Sequence, residues 1–263
     1  MNADRTFWIG KDHNICEDFA LAEVDSTGVA YAIVSDGCSA SKEVDFGSRV
    51  MAMSAKQSLR LGGYKLTPEQ FGLDVISNAE RVVRQVPYLS LQCLDATLLA
   101  AWVIDGNLTV NMFGDGVLVH KTKTGVNLVH IHLTSNAPDY LSYHLDPLRT
   151  QAYDNLEDNK KEITIKMGAT GEVIKTTLKP FTPYTLTAPA YEGDVIAVIS
   201  DGINSFRKPD YTPIPWEELV DEFTGFKNFE GEFVLRRVSA FKRKCLKESI
   251  THSDDISVAA IVV

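Results

Sequence analysis

The sequence predicts an α+β fold, and three observations carry that prediction. Apolar runs of strand length gather in blocks, two long helical patterns stand together between the first block and the second, and the chain closes on an apolar octapeptide at 256–263. Segregated elements of this kind build sheets from neighbouring strands, whereas a parallel βαβ fold needs a crossover helix between strands.

Strands are expected at 19–24 and 29–34. A helix follows from Val44, where Gly47, Met51, Ala55 and Leu59 recur at a spacing that buries one stripe. The next helix opens on Thr67-Pro68-Glu69-Gln70: Thr67 caps, Pro68 suits the first turn and Gln70 completes a capping box. Its predicted stripe is Phe71, Val75, Ala79, Val82, Val83 and Val86. Four strands are then expected at 96–104, 108–113, 117–122 and 126–133. The stretch 134–189 is the least patterned, with a hairpin expected at 162–167 and 172–177 around Gly168 and Gly171, and a flap. A strand at 195–199, helices at 216–223 and 229–246, and the last strand complete the chain. That last strand is apolar almost throughout, so both its faces should be buried. No Gly/Ser- or Pro-rich linker divides the chain, and one domain over 1–263 is expected, with a variable flap or insert at about 134–189.

Composition narrows the function. The 263 residues are 44% hydrophobic and 23% charged, with a formal charge of −9, which argues against nucleic acid as the main partner. No run approaches the roughly 20 apolar residues of a membrane helix, and the start, Met1-Asn2-Ala3-Asp4-Arg5, lacks the pattern of a secretory signal. The expectation is a cytoplasmic protein without a membrane partner. Cys16, Cys38, Cys93 and Cys245 are scattered and read as free thiols. The basic cluster Lys242-Arg243-Lys244 with Lys247 falls near a helix end, where cations complement the dipole.

One pattern carries chemistry. Ser35-Asp36-Gly37 and Ser200-Asp201-Gly202 each follow an apolar strand, and Gly114-Asp115-Gly116 follows a third. Asp254-Asp255 precedes the final strand, and Glu17-Asp18 precedes 19–24. Singly, Asp-Gly is a turn signal. Together, carboxylates at the ends of buried strands repel one another and lose solvation unless divalent cations neutralise them, and hard oxygen donors suit magnesium or manganese.

The ordered set Glu17-Asp18, Asp36-Gly37, Asp95-Ala96-Thr97, Gly114-Asp115, Asp201-Gly202 and Asp254-Asp255-Ile256-Ser257 resembles the metal-dependent type 2C serine/threonine protein phosphatases, here as a divergent bacterial-type member. The resemblance runs from about Gly10 to Val263. It implies two packed antiparallel sheets flanked by helices, with the cations at one edge. It implies two Mn2+ or Mg2+ ions, Asp36 bridging both, the Gly37 carbonyl on one, and Asp201 and Asp254 on the other. Glu17 or Asp18 would orient the attacking water, Asp18 counting also among the ligands, and Asp115 with Asp201 matches a third, looser cation position. The activity implied is hydrolysis of phosphoserine and phosphothreonine, with a phosphorylated protein as partner and an opposing kinase the sequence does not identify.

Three departures qualify the match. Cys38-Ser39-Ala40-Ser41 replaces a glycine-rich continuation, with Cys38 where many eukaryotic members carry histidine; a filler role suits it better than a nucleophile's, since no flanking base activates it. His13 stands where a phosphate-binding arginine is expected, four residues before Glu17, either gripping phosphate as a cation or merely packing. The segment before Asp201 reads as lacking the usual Gly-Asp stretch. The missing arginine and altered loop keep a catalytically weak or non-enzymatic relative binding phosphoprotein or a regulator in play, and the sequence barely distinguishes a phosphoprotein phosphatase from a metal-dependent phosphatase of small phosphate esters. His130-Ile131-His132 sets two imidazoles on one strand face, read as a solvated face, and neither a G-x-S-x-G elbow nor a P-loop is present.

Overall fold

Residues 30–34, Ala-Tyr-Ala-Ile-Val, state the architecture in miniature. Successive side chains of a strand point to opposite faces, and here Tyr31 and Ile33 enter one core while Ala30, Ala32 and Val34 enter another. A strand buried on both faces needs a covering layer on each side. The structure, a computed structural model describing residues 1–156 and 159–263, supplies helices on one side and a second sheet on the other.

In chain order the elements are β1 (Asn2–Trp8), β2 (Phe19–Val24), β3 (Ala30–Ser35), α1 (Val44–Arg60), α2 (Pro68–Val83), β4 (Leu98–Ile104), β5 (Asn107–Phe113), β6 (Gly116–Thr122) and β7 (Gly125–Leu133). There follow α3 (Pro147–Asp154), β8 (Lys161–Lys166), β9 (Val173–Leu178), β10 (Tyr184–Pro189), β11 (Val195–Ile199), β12 (Phe206–Arg207), α4 (Trp216–Thr224), α5 (Phe233–Glu248), β13 (Thr251–His252) and β14 (Ile256–Val262). One large sheet runs β1-β14-β11-β6-β7-β8-β9 and the other β10-β5-β4-β3-β2, β12 and β13 pair as a separate two-stranded sheet, and every pairing is antiparallel.

Helices α1 and α2 cover the five-stranded sheet through Met51, Ala55, Leu59, Phe71 and Val75 against Tyr31, Ile33 and Trp102. Helices α4 and α5 cover the seven-stranded sheet through Phe223, Phe233 and Phe241. Between the sheets lies a third core of small residues, Ala20, Ala30, Ala32, Ala101 and Ala259, packed with Val198 and Ile261. The α+β class and the helix-flanked pair of sheets expected from the sequence are therefore found. The closing strand β14 is buried throughout, as its composition required. The capping box at Thr67 also forms: the Gln70 N–H donates to Thr67 Oγ1 at 3.3 Å, and the Thr67 N–H to Gln70 Oε1 at 3.2 Å.

Several expectations need correction. Val82 falls off the buried stripe of α2 and is 43% exposed, and Val86 lies beyond the end of α2 and is 38% exposed. Helix α5 starts at Phe233, not 229, because Gly231 takes a left-handed φ of 56° just before it. Five elements escaped the periodicity argument: β1 pairs with β14 over its whole length, α3 is a short polar helix, β10 lies at the edge of the five-stranded sheet, and β12 and β13 are two-residue strands. The hairpin expected at 162–177 is β8–β9, and it extends the seven-stranded sheet.

Candidate metal centre

Antiparallel pairing brings the aspartate-bearing strand ends to one edge of the sandwich. Asp18 precedes β2 and Asp36 follows β3; Asp115 sits between β5 and β6; Asp201 follows β11, and Asp254 precedes β14. The backbone of Asp36 is clamped from both sides by Thr97. Its N–H donates to Thr97 Oγ1 at 3.2 Å, and its carbonyl accepts the Thr97 N–H at 2.8 Å. Gly37 and Gly202 are glycines for want of room. A Cβ on Gly37 would lie 2.9 Å from the Glu17 carbonyl oxygen, and one on Gly202 would lie 1.7 Å from that of Asp255.

The carboxylates face one another with little compensation. Asp36 is within hydrogen-bonding reach of both Asp18 and Asp201. Asp18 is 1% exposed; its Oδ2 accepts the Ser200 hydroxyl at 2.7 Å, while its Oδ1 is buried without a hydrogen-bond partner. Burial, with the neighbouring charges, pushes Asp18 up to about 7 and Asp254 to about 6. Burial holds Asp36 well above the usual carboxylate range, and the charges of Asp18, Asp201 and Asp254 add to it. Burial does the same to Asp115, reinforced by Asp201. Among the described residues, no lysine or arginine pairs with any of these five.

Among the described residues, no three carboxylate, imidazole or thiolate groups are arranged to hold an ion as they stand. The donor chemistry fits one nonetheless. An orphaned buried carboxylate oxygen, carboxyls pushed towards their neutral forms by burial and by one another, and all-oxygen donors match a hard divalent cation such as Mn2+ or Mg2+.

The Asp254-Asp255 pair divides its work. Asp254 has a side chain 45% exposed at the cluster, whereas Asp255 is buried and accepts the Gly10 N–H at 2.7 Å and the Glu17 N–H at 2.5 Å. Asp255 thereby ties the N-terminal loop to β14. His13 lies against both: Nε2 is 3.6 Å from Asp254 Oδ1, and Nδ1 is 3.0 Å from Asp255 Oδ2, out of line for a hydrogen bond. Burial works against its cation, but Asp255, Asp254 and Glu17 outweigh that and raise the His13 pKa. Glu17 accepts the Ser39 hydroxyl at 2.6 Å, which joins it to the loop after Gly37. Glu17, Asp18, Asp36, Gly37, Asp201, Asp254 and His13 thus fall in one neighbourhood, and Asp115 reaches it through Asp201.

The sequence reading assigned no role to three groups. Asp95, 2% exposed, accepts both nitrogens of Arg149 at 3.0 and 2.8 Å and the hydroxyls of Ser142 (2.6 Å) and Ser41 (2.7 Å). Its carbonyl also takes the Cys38 N–H at 2.8 Å, so it joins 142–149 to the loop behind Asp36. Lys161 and Asp139 form a buried pair at 3.0 Å, with the Phe181 N–H also on Asp139. Gly193-Asp194 stands directly before β11, against the reading that no Gly-Asp precedes Asp201; Asp194 is 1% exposed and lies 3.2 Å from His120 Nε2. Only a buried-charge argument could have found these, since their partners lie 22 to 74 positions away. His130 and His132 do share a face, rings 6.2 Å apart, with His132 exposed and His130 packed on Trp216.

A family model described as protein phosphatase 2C matches residues 10–238. No curated protein sequence matches the chain. Among solved structures, a Streptococcus agalactiae serine/threonine phosphatase superposes with a TM-score of 0.58 at 15% identity, covering 99% of this chain and 98% of that one. A Mycobacterium smegmatis PPM Ser-Thr phosphatase in complex with cacodylate gives 0.58 at 15% identity, over 100% and 98%. The Staphylococcus aureus serine/threonine phosphatase Stp1 gives 0.57 at 13%, over 100% and 95%. At these identities the structural likeness speaks to the fold; the family rests on the model match, which covers most of the chain. The chain belongs to the protein phosphatase 2C family.

Proposed function

We propose that this protein is a metal-dependent phosphatase that hydrolyses phosphoserine and phosphothreonine in proteins. The observation that carries the reading is the convergence of Asp18, Asp36, Asp115, Asp201 and Asp254 at one sheet edge, where among the described residues none of them is paired with a lysine or arginine. Asp36 would bridge two cations, with the Gly37 carbonyl, Asp201, Asp254 and Asp18 completing the donors and Asp115 serving a third; Mn2+ and Mg2+ suit them. When bound, these cations would supply an activated water and neutralise charge on the phosphoryl oxygens.

The chain's own groups prepare that site. Ser200 fixes the orientation of Asp18, and Thr97 fixes the backbone that carries Asp36. Asp255 holds the loop bearing His13 and Glu17 against the cluster, so a cationic His13 would meet the phosphate oxygens where an arginine is otherwise used. The solved relatives are phosphatases, and one of them was captured with cacodylate, an oxyanion. The fold over 1–263 reads as one catalytic domain, in which the variable part of 134–189 would be what lies outside β8, β9 and β10, since those strands belong to the two main sheets. Among the described residues no helix is long and apolar enough to cross a membrane.

The test is a panel of phosphoserine, phosphothreonine and phosphotyrosine peptides and small phosphate esters, with and without Mn2+. Cation-dependent release from the first two supports the reading. Turnover of phosphotyrosine or sugar phosphates a hundredfold faster would replace it. The His13 substitution favours one second reading, a catalytically weak relative that binds phosphoprotein: tight phosphopeptide binding without hydrolysis at any cation concentration would establish that instead.

A further inference from the structure

The outer face of the α1–α2 layer carries a groove whose chemistry differs from the rest of the molecule. A hollow of about 490 Å³ is lined by Phe46, Val50, Met53 and Val82 with Arg49 and Arg81 at its sides. Met53 and Gln57 continue it into a second hollow of about 330 Å³, which ends at Lys56, Arg60 and Leu61. From Phe46 to Leu61 the groove follows α1 for about 22 Å, some four helical turns.

Two features set this surface apart. Met53 is 51% exposed, Val82 43% and Leu61 77%, so the apolar side chains form a stripe, not isolated exceptions. Val82 continues the apolar periodicity of α2, so strongly that the sequence reads it as core; it points into the groove instead. The charge is as one-sided as the apolarity. The two hollows are lined by four cationic residues and no carboxylate, in a chain with 35 acidic and 26 basic residues. Lys56 pairs with Glu23. Arg49 lies over the Phe19 ring at 4.9 Å and Arg81 donates to Asn78; among the described residues neither they nor Arg60 have a carboxylate partner within ion-pair distance.

We propose that this groove docks an acidic amphipathic helix of a partner protein, its apolar stripe lying over Phe46, Val50, Met53 and Val82 and its carboxylates meeting Arg49, Arg60 and Arg81. Length, apolar floor and cationic rim fit the mode in which a helix lays one face into a groove. A second copy of this chain fits worse, because a two-fold contact between grooves would set arginine against arginine. An anionic membrane fits worse too, because the molecule as a whole carries −9. Such a partner would bear on α1, whose first residue, Val44, packs beside Gly37. The inference concerns binding and stands apart from the phosphatase reading.

The probe is a fluorescein-labelled 18-residue peptide with leucine at helical stripe positions and glutamate elsewhere. A lysine-for-glutamate version and a scrambled glutamate version serve as controls, and binding is read by anisotropy. The glutamate peptide should bind at least tenfold tighter than either control and weaken as salt rises. Arg49→Glu/Arg81→Glu and Met53→Ser/Val82→Ser should each weaken it tenfold or more at unchanged melting temperature, since all four side chains are exposed. Lys123→Glu/Lys227→Glu, elsewhere on the surface, should leave it unchanged. Equal binding of the scrambled peptide, or no loss in either groove variant, would overturn the proposal. So would a concentration-dependent dimer that Arg49→Glu/Arg81→Glu abolishes, or sedimentation with phosphatidylserine vesicles in preference to peptide binding.

Discussion

Two sets of buried carboxylates occupy this fold in opposite circumstances. At the sheet edge, Asp18 and Asp36 are closed in with one another and Asp115 with Asp201, and burial pushes Asp18, Asp36 and Asp115 towards their neutral forms. Around 134–189, Asp95 and Asp139 are as deeply buried, yet Asp95 has a guanidinium and two hydroxyls, and Asp139 has an ammonium and a backbone N–H. Burying a charge is costly unless it is paired. The second set meets that requirement within the chain and reads as structure. The first does not, and so points to an ion from outside.

The contrast predicts opposite responses to neutralising one acid in each set, and the largest should appear in activity. Asp36→Asn should remove at least ~1,000-fold of Mn2+-dependent aryl phosphate hydrolysis, an interaction made with the reacting centre. The same variant should fold, melt no lower than wild type in chelator, and lose the rise in melting temperature that Mn2+ gives the wild type. Full activity in that variant, or in excess chelator, removes the two-cation reading.

Lys161→Met should cost about 3–5 kcal/mol in urea unfolding, because it leaves Asp139 charged and unpaired at 1% exposure. Adding Asp139→Leu should return most of that loss. A single variant as stable as wild type would show that the pair is not what holds 134–189 in place. Arg149→Ala should cost less, about 1–3 kcal/mol, since its guanidinium is 26% exposed and Asp95 keeps both serine hydroxyls. A cost above that of Lys161→Met would reverse the ranking that burial implies.

The smallest effect expected is at His13, whose imidazole lies beside the cluster against Asp254 and Asp255. His13→Ala should raise KM about tenfold, worth ~1.4 kcal/mol, and change kcat less. His13→Arg should restore KM. A loss in kcat with KM unchanged would assign His13 to the geometry of Asp254 and Asp255 and not to phosphate.

Much of this was legible in the sequence because it is local. A strand followed by Ser-Asp-Gly, a Thr-Pro-Glu-Gln helix start and an apolar stripe at helix spacing each express interactions reaching only a few residues. Local signals therefore placed the strands that carry Asp36, Asp201 and Asp254 and both helices of the first layer, while the candidate site residues came from the ordered motifs and the family they resemble. Where local signals were weak they misled: β1 alternates too little to stand out, and Val82 carries a core pattern on a face that no core of this chain covers.

Only the tertiary structure decided how charges pair. Asp254 and Asp255 are neighbours of one chemical type, and nothing in their spacing says which faces the cluster. The packing of the N-terminal loop, whose Gly10 amide lies 245 positions away on Asp255, turns one inward and leaves the other at the edge. Asp95 and Arg149 are 54 positions apart, and Lys161 and Asp139 are 22 apart. A carboxylate's cost depends on what surrounds it once water is gone, and two sheets and three cores must assemble before that surrounding exists.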